Sequence, residues 1–212
     1  MSHQNTRINL YIVRHGQSVA NLEKTLLYGQ GHNVPLTKLG EKQAKKLGIE
    51  FNRRRIYFDK VYSSKSERAY NTAKISLNEI SYPINSIIKT DELVEYSVGE
   101  WEGKTREEVY TPETRFRMNT MGPFFAPPKG ESLMMVQRRI LPWLFDEIIY
   151  NEENWGKKLN IGVFTHAMTI RTLLHYAMGF NDRLIHRIGI DNASLTKLRF
   201  TEDGWYVDYV NR

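Results

Sequence analysis

Four short stretches carry side chains suited to chemistry on a phosphate group. Arg14-His15-Gly16 follows an apolar run, Ser63-Ser64 precedes Arg68, and Thr165-His166 follows Ile161-Gly162-Val163-Phe164. Glu95 lies in Leu93-Val94-Glu95-Tyr96-Ser97-Val98-Gly99-Glu100-Trp101-Glu102-Gly103, a segment too rich in glycine and charge to be core. A neutral imidazole accepts a phosphoryl group near pH 7, arginines offer planar donor forks to phosphate oxygens, and a carboxylic acid protonates a leaving oxygen. Two histidines, two arginines and a carboxylate therefore make a candidate phosphoryl-transfer set. Each of them taken singly is more often structural than catalytic.

Ligands of open α/β sheets bind beyond the carboxyl ends of the strands, so these stretches matter where strands lead into them. Residues 8–13 read as a first strand, followed by a polar, glycine-containing loop to Pro35. Arg14 and His15 would point to opposite faces of a strand, so they share a site only where the strand gives way to a turn, which Gly16 permits. A helix is expected over 38–55 with Leu39, Ala44, Leu47 and Phe51 on its apolar side, then a second strand over 56–62. Ser64-Lys65-Ser66-Glu67 has the form of a capping box, so the next helix should begin at Lys65 and run towards Ile80. Arg68 then lies near its first turn, beside N–H groups that favour anions. Thr105-Arg106-Glu107-Glu108 repeats the capping signal. Pro112, Pro123, Pro127 and Pro128 forbid a continuous helix over 111–130, and 104–130 reads as an insertion or lid. Residues 131–150 are helical again, with Pro142 kinking the helix or opening a second one. The apolar run 161–164 suits a strand buried on both faces, 168–178 follows with helical spacing, and 195–200 with 205–210 flank a turn as a hairpin. This alternation predicts a layered α/β fold with a mostly parallel central sheet flanked by helices.

The chain's 212 residues suffice for one ordinary domain with its own core, and a single domain spanning 1–212 is expected. With 41% hydrophobic and 25% charged residues, disordered, collagenous and repeat-dominated classes are excluded. No apolar run approaches the roughly 18 residues of a membrane span. The absence of cysteine removes disulfides, thiol nucleophiles and cysteine-bound zinc, and with no secretory pattern in residues 1–9 it fits the cytoplasm. A net charge of +6 favours anionic partners. The one cationic run, Arg53-Arg54-Arg55, lacks interleaved aromatics and reads as a solvated helix end rather than a nucleic-acid surface. His3, His175 and His186 read as structural, as do the four tryptophans as packing residues. His32, in the loop after the first site, is a further candidate for contact with substrate.

In order along nearly the whole chain, the sequence resembles the phosphoglycerate-mutase-like branch of the histidine phosphatase superfamily. The match runs through Leu10-Tyr11-Ile12-Val13-Arg14-His15-Gly16-Gln17-Ser18 with Asn21, Gly31 to Thr37, Tyr62-Ser63-Ser64 with Arg68-Ala69 and Thr72-Ala73. It continues through Leu93-x-Glu95 with Gly99-x-Trp101-Glu102-Gly103, Gly130-Glu131-Ser132, Thr165-His166 and Asn192-Ala193-Ser194. The resemblance implies a three-layer α/β sandwich in which His15 becomes phosphorylated, Arg14, Arg68 and His166 bind the transferring group, and Glu95 is the general acid. By the same resemblance Asn21 and the backbone of Ala167 help hold the phosphate; Gln30 and Gly31, in the loop after the nucleophile, are further candidates for substrate binding. No metal-ligand spacing such as His-Glu-x-x-His appears, so no metal or other cofactor is expected.

Such a pocket hands its phosphoryl group either to water or to another oxygen of a sugar acid. Only residues 96–129 separate Glu95 from Gly130, shorter than the insertion usual in the mutases of the superfamily, which favours a phosphatase. A small phosphorylated metabolite is the expected partner, without nucleic acid or membrane, and a homodimer stays open. A catalytically silent phospho-ligand-binding module is the alternative of another class, opposed by the presence of both a nucleophile and a proton donor. Ala167 in place of a common glycine and Asn33 in place of a frequent aspartate are departures that bear on specificity.

Overall fold

The computed structural model describes residues 5–31 and 33–212. His3 and His32 lie outside these, as does whatever His32 does to substrate. In chain order the elements are β1 (Arg7–Arg14), α1 (Val19–Leu22), α2 (Lys38–Arg53), β2 (Lys60–Ser64), α3 (Glu67–Asn78), β3 (Ile87–Thr90), α4 (Arg106–Val109), α5 (Pro112–Met121), α6 (Leu133–Trp143), β4 (Lys158–Thr165), α7 (Ala167–Met178), β5 (Leu195–Thr201) and β6 (Gly204–Tyr209). They form a six-stranded sheet in the order β3-β2-β4-β1-β5-β6, with β1 to β4 mutually parallel, β5 antiparallel to β1 and β6 antiparallel to β5.

The two-residue period of β1 divides the core into layers. Ile8, Leu10 and Ile12 enter a cluster with Val136 and Ile140 of α6 and Ile170 and Leu173 of α7. Tyr11 and Val13 enter another with Leu47 and Phe51 of α2 and Ala73 and Leu77 of α3. Two helical layers therefore cover the sheet, the expected sandwich. The central β1 and β4 are apolar along most of their length because both faces are covered, whereas edge strand β6 alternates partly buried with exposed residues. No helix among the described residues is long and apolar enough to cross a membrane.

Several boundaries differ from the sequence reading. The second strand occupies Lys60–Ser64 rather than 56–62, because Arg55 takes a left-handed φ of 54° and the Ile56 N–H returns to the Phe51 carbonyl to end α2. Ile56 and Phe58 are apolar because they fill the core from a loop. Ser64 remains in β2, so the capping box at 64–67 does not form. Helix α3 starts at Glu67 with Ser66 as its N-cap. The box at Thr105 and Glu108 does form. In α2, Leu39 is 50% exposed while Ala44, Leu47 and Phe51 are buried, because Gly40 turns inward against the Gln17 backbone. Within 111–130 the prolines still permit α5, since Pro112 stands in its first turn under the Thr111 cap, where no N–H partner is needed. After Pro142, α6 widens into a π-helical stretch, Leu144–Ile149, the deformation expected where an N–H is missing.

Candidate active site

The first site residue sits where β1 gives way to a turn. The His15 N–H donates to the Thr165 carbonyl of β4 (3.0 Å), and the His15 carbonyl accepts from Ala193 N–H and Asn192 Nδ2 (both 3.1 Å). The Gly16 N–H donates to Thr72 Oγ1 of α3 (2.9 Å), and a Cβ at Gly16 would lie 2.6 Å from the Gly40 carbonyl oxygen. The turn thus has both ends fixed and no room for a side chain at Gly16. His15 Nδ1 lies 2.7 Å from the Gly16 carbonyl oxygen. A carbonyl only accepts, so Nδ1 carries the proton and the neutral ring keeps its lone pair on Nε2. Burial, then the charges of Arg68 and Arg14, hold the His15 pKa well below 6.5, so the ring is neutral at pH 7.

His166 closes β4 and is the N-cap residue of α7, which starts at Ala167. Its ring is fully buried, edge-on to His15 with centroids 5.1 Å apart, and its Nε2 lies 2.9 Å from Ser64 Oγ. Burial, Arg68 and His15 press its pKa well below 6.5 as well. His166 Nδ1 and Arg14 Nε are buried without a hydrogen-bond partner among the described residues. A buried polar group left unmade costs about 1–3 kcal/mol, a cost borne here by two residues of the candidate site.

The guanidinium groups are fixed by main-chain carbonyls. Arg14 Nη1 donates to Ile190, while Arg68 donates through Nη1 to Gly31 (2.6 Å) and through Nη2 to Gly29 (2.9 Å). Burial lowers both pKa values and the Glu95 charge raises them again; both groups remain cationic. Glu95 Oε1 accepts the N–H of Tyr96 (3.0 Å) and that of Met168 in the first turn of α7 (3.2 Å), a helix terminus that suits a carboxylate.

Arg14, His15, Asn21, Arg68 and Glu95 line one cavity of about 250 Å³. His166 stands behind it, against His15. Asn21 Oδ1 accepts from the Ser18 N–H (3.0 Å) and Asn192 Nδ2 (3.1 Å). Gln30, Gly31 and Ala167 do not line the cavity. The Gln30 amide donates to Glu131 Oε2 (3.1 Å), and Gly31 presents its carbonyl to Arg68, so both bear on the site through another side chain. Lys24, Tyr28 and Arg106 line the cavity and were not legible as site residues. They arrive through an isolated bridge between Leu26 and Thr105, supplemented by Arg106 Nε donating to the Lys24 carbonyl (3.0 Å), and no local sequence pattern announces such a pairing.

A neutral imidazole, two guanidinium groups and a carboxyl group in one cavity are equipped to move a phosphoryl group. Residues 10–212 match the family model of the histidine phosphatase superfamily, branch 1. The chain belongs to the histidine phosphatase superfamily. Among relatives of this histidine phosphatase is a 2,3-bisphosphoglycerate-dependent phosphoglycerate mutase of Gloeobacter violaceus, 30% identical over 205 residues that cover 93% of this chain and 88% of the relative. A broad-specificity phosphatase of Saccharomyces cerevisiae is 29% identical over 200 residues, 94% of this chain and 82% of the relative. A solved mycobacterial glucosyl-3-phosphoglycerate phosphatase superposes with a TM-score of 0.81 at 25% identity, over 97% of this chain and 99% of that one. The histidine phosphatase fold expected from the motifs is thus the fold observed, and its relatives include both phosphatases and mutases.

Proposed function

We propose that this histidine phosphatase is a metal-independent phosphomonoesterase that hydrolyses a small phosphorylated metabolite through a phosphohistidine at His15. The observation that carries the reading is a His15 ring held neutral, with Nδ1 engaged by the Gly16 carbonyl, in one cavity with Arg14, Arg68 and Glu95. In the first step the Nε2 lone pair attacks phosphorus and the ester P–O bond breaks, while protonated Glu95 gives its proton to the departing oxygen. Arg14 and Arg68 neutralise the transferring group, and the neutral His166 beside His15 adds a hydrogen bond, with Asn21 as a further donor. In the second step the Glu95 carboxylate takes a proton from water, whose oxygen attacks phosphorus as the P–N bond breaks. His15 is restored neutral and Glu95 protonated, leaving alcohol and phosphate. Positioning and charge carry most of the barrier reduction in such a transfer.

Hydrolysis is favoured over phosphoryl return to a sugar acid by the short segment between Glu95 and Gly130, which holds little beyond α4 and α5. The mutase reading draws on the Gloeobacter relative. The reading takes 1–212 as one catalytic domain with 104–130 over the cavity, to which Arg106 contributes. Phosphate release from p-nitrophenyl phosphate and a panel of phosphorylated metabolites, with and without chelator, tests it against His15→Ala while 3-phosphoglycerate isomerisation is followed in parallel. Chelator-insensitive release lost in His15→Ala is expected. Isomerisation without release would make the chain a mutase, and no turnover in either assay would make it a binding module.

A further inference from the structure

Residues 92–97, which present Glu95, belong to no helix or strand, yet the carbonyls of residues 92–95 are each engaged by a side chain. Thr165 Oγ1 donates to the Leu93 carbonyl (2.6 Å) and Thr169 Oγ1 to that of Val94 (2.9 Å). Arg139, two turns into α6, supplies the rest: Nη1 donates to Glu92 (2.6 Å) and Val94 (3.1 Å), and Nη2 to Glu95 itself (3.4 Å). The same guanidinium is gripped from its other edge by Glu131, Nε to Oε1 at 3.0 Å and Nη2 to Oε2 at 3.1 Å. Glu131 Oε2 also accepts the Ser97 N–H (2.9 Å) and the Gln30 amide (3.1 Å), and the Glu131 N–H donates to the Ser97 carbonyl (2.9 Å). Both charged side chains are largely buried, at 18% and 15% exposure.

One planar fork therefore joins α6, the segment bearing Glu95 and, through Glu131, the loop that follows the nucleophile. We propose that Arg139, locked by Glu131, is the positioning residue for Glu95: it fixes the main chain on both sides of the carboxyl group, so that the proton is delivered along the line of the leaving oxygen. The inference rests on the general-acid reading of Glu95 given above. Neither Arg139 nor Glu131 lines the cavity, so neither acts as a catalytic residue. A lysine keeps the charge of Arg139 but has a single nitrogen in place of the fork, and cannot hold Glu131 and three carbonyls together.

The test compares wild type, Glu95→Gln, Arg139→Lys and Glu131→Gln on two substrates. β-Glycerophosphate has a poor leaving group that needs a proton, and p-nitrophenyl phosphate has a good one that does not. A displacement of about 1 Å in a catalytic group costs on the order of 10²-fold. Arg139→Lys is accordingly expected to lower kcat for β-glycerophosphate by roughly 10- to 100-fold with KM little changed, while kcat for p-nitrophenyl phosphate stays within about threefold. Glu131→Gln preserves size and one acceptor, is expected to show the same selectivity more weakly, and carries the test should Arg139→Lys fail to fold. A merely structural role would depress both substrates alike. If Glu95→Gln is selective and the two clamp variants are not, the positioning role is overturned and the general acid stands. If Glu95→Gln is itself unselective, the general-acid reading falls and the inference falls with it.

Discussion

Each site residue owes its chemistry to something outside its own side chain. His15 is suited to the proposed nucleophile's role at neutral pH because the Gly16 carbonyl fixes its tautomer and because burial and two arginines keep it from holding a second proton. This gives a sign to the pH dependence. An unperturbed histidine would be half-protonated near pH 6.5 and its reaction would fade below that value. Here kcat/KM, corrected for the second ionisation of the phosphate ester near pH 6, is expected to stay level as pH falls through 6.5 and to decline only further down. A pH–rate profile checks this, and a fall centred at 6.5 would contradict it. Arg14, His15, Arg68 and His166 were legible because they end or follow a strand or open a helix, Glu95 because its segment is too rich in glycine and charge to be core, and all five because they belong to an ordered set of motifs. Lys24, Tyr28 and Arg106 were not, because their presence depends on a loop-to-loop bridge that only the folded chain defines. Gln30 was assigned to substrate from its place beside the nucleophile loop, but its amide is taken by Glu131.

Among the elements, the helices that pack most closely on the site are the least tolerant of change. The N-terminus of α2 meets the turn after His15 so tightly that a Cβ at Gly40 would lie 2.0 Å from the Gln17 carbonyl oxygen. Gly40→Ala must push that backbone away, and overpacking of this kind costs about 1–3 kcal/mol. Urea unfolding should show a loss in that range, with kcat lowered as well because His15 shares the turn. Helix α5 makes the opposite case, since none of its residues is buried and Phe116 is 71% exposed. Phe116→Ser should leave stability within about 0.5 kcal/mol in the same experiment. The same contrast explains which elements the sequence revealed. Strand β1 and helices α2 and α7 carry apolar periodicity because they cover the core. Helix α5 has caps but no apolar face, and β3 is a four-residue edge strand paired only with β2, so periodicity missed both. The 56–62 strand was misplaced because the apolar Ile56 and Phe58 serve the core from a loop.

For the molecule as a whole, the two neutral histidines link stability to pH. Their folded pKa values lie below the unfolded value near 6.5, so between those limits the unfolded chain binds more protons than the folded one. Their contribution to stability is fully present above pH 6.5 and is lost as pH falls from there towards the folded pKa values. Each histidine removes up to about 1.4 kcal/mol per pH unit in that window. The carboxylates with lowered pKa, Glu50, Glu108 and Asp208, act at lower pH, below their ordinary values. Unfolding free energies at pH 7.5 and 5.5 should therefore differ, and His166→Gln should flatten the slope; equal stability at both pH values would count against buried neutral histidines. The layered architecture was readable from strand–helix alternation, whereas the strand order was not, because no local pattern tells β1 to lie between β4 and β5. That order brings His15 and His166 side by side at the ends of adjacent parallel strands. The most direct test of the account follows from it. Enzyme exposed briefly to 32P-labelled substrate, quenched in alkali and digested, should yield a single labelled peptide carrying phosphate on His15, absent from His15→Ala; label on any other residue, or turnover with no labelled enzyme under single-turnover conditions, would contradict it.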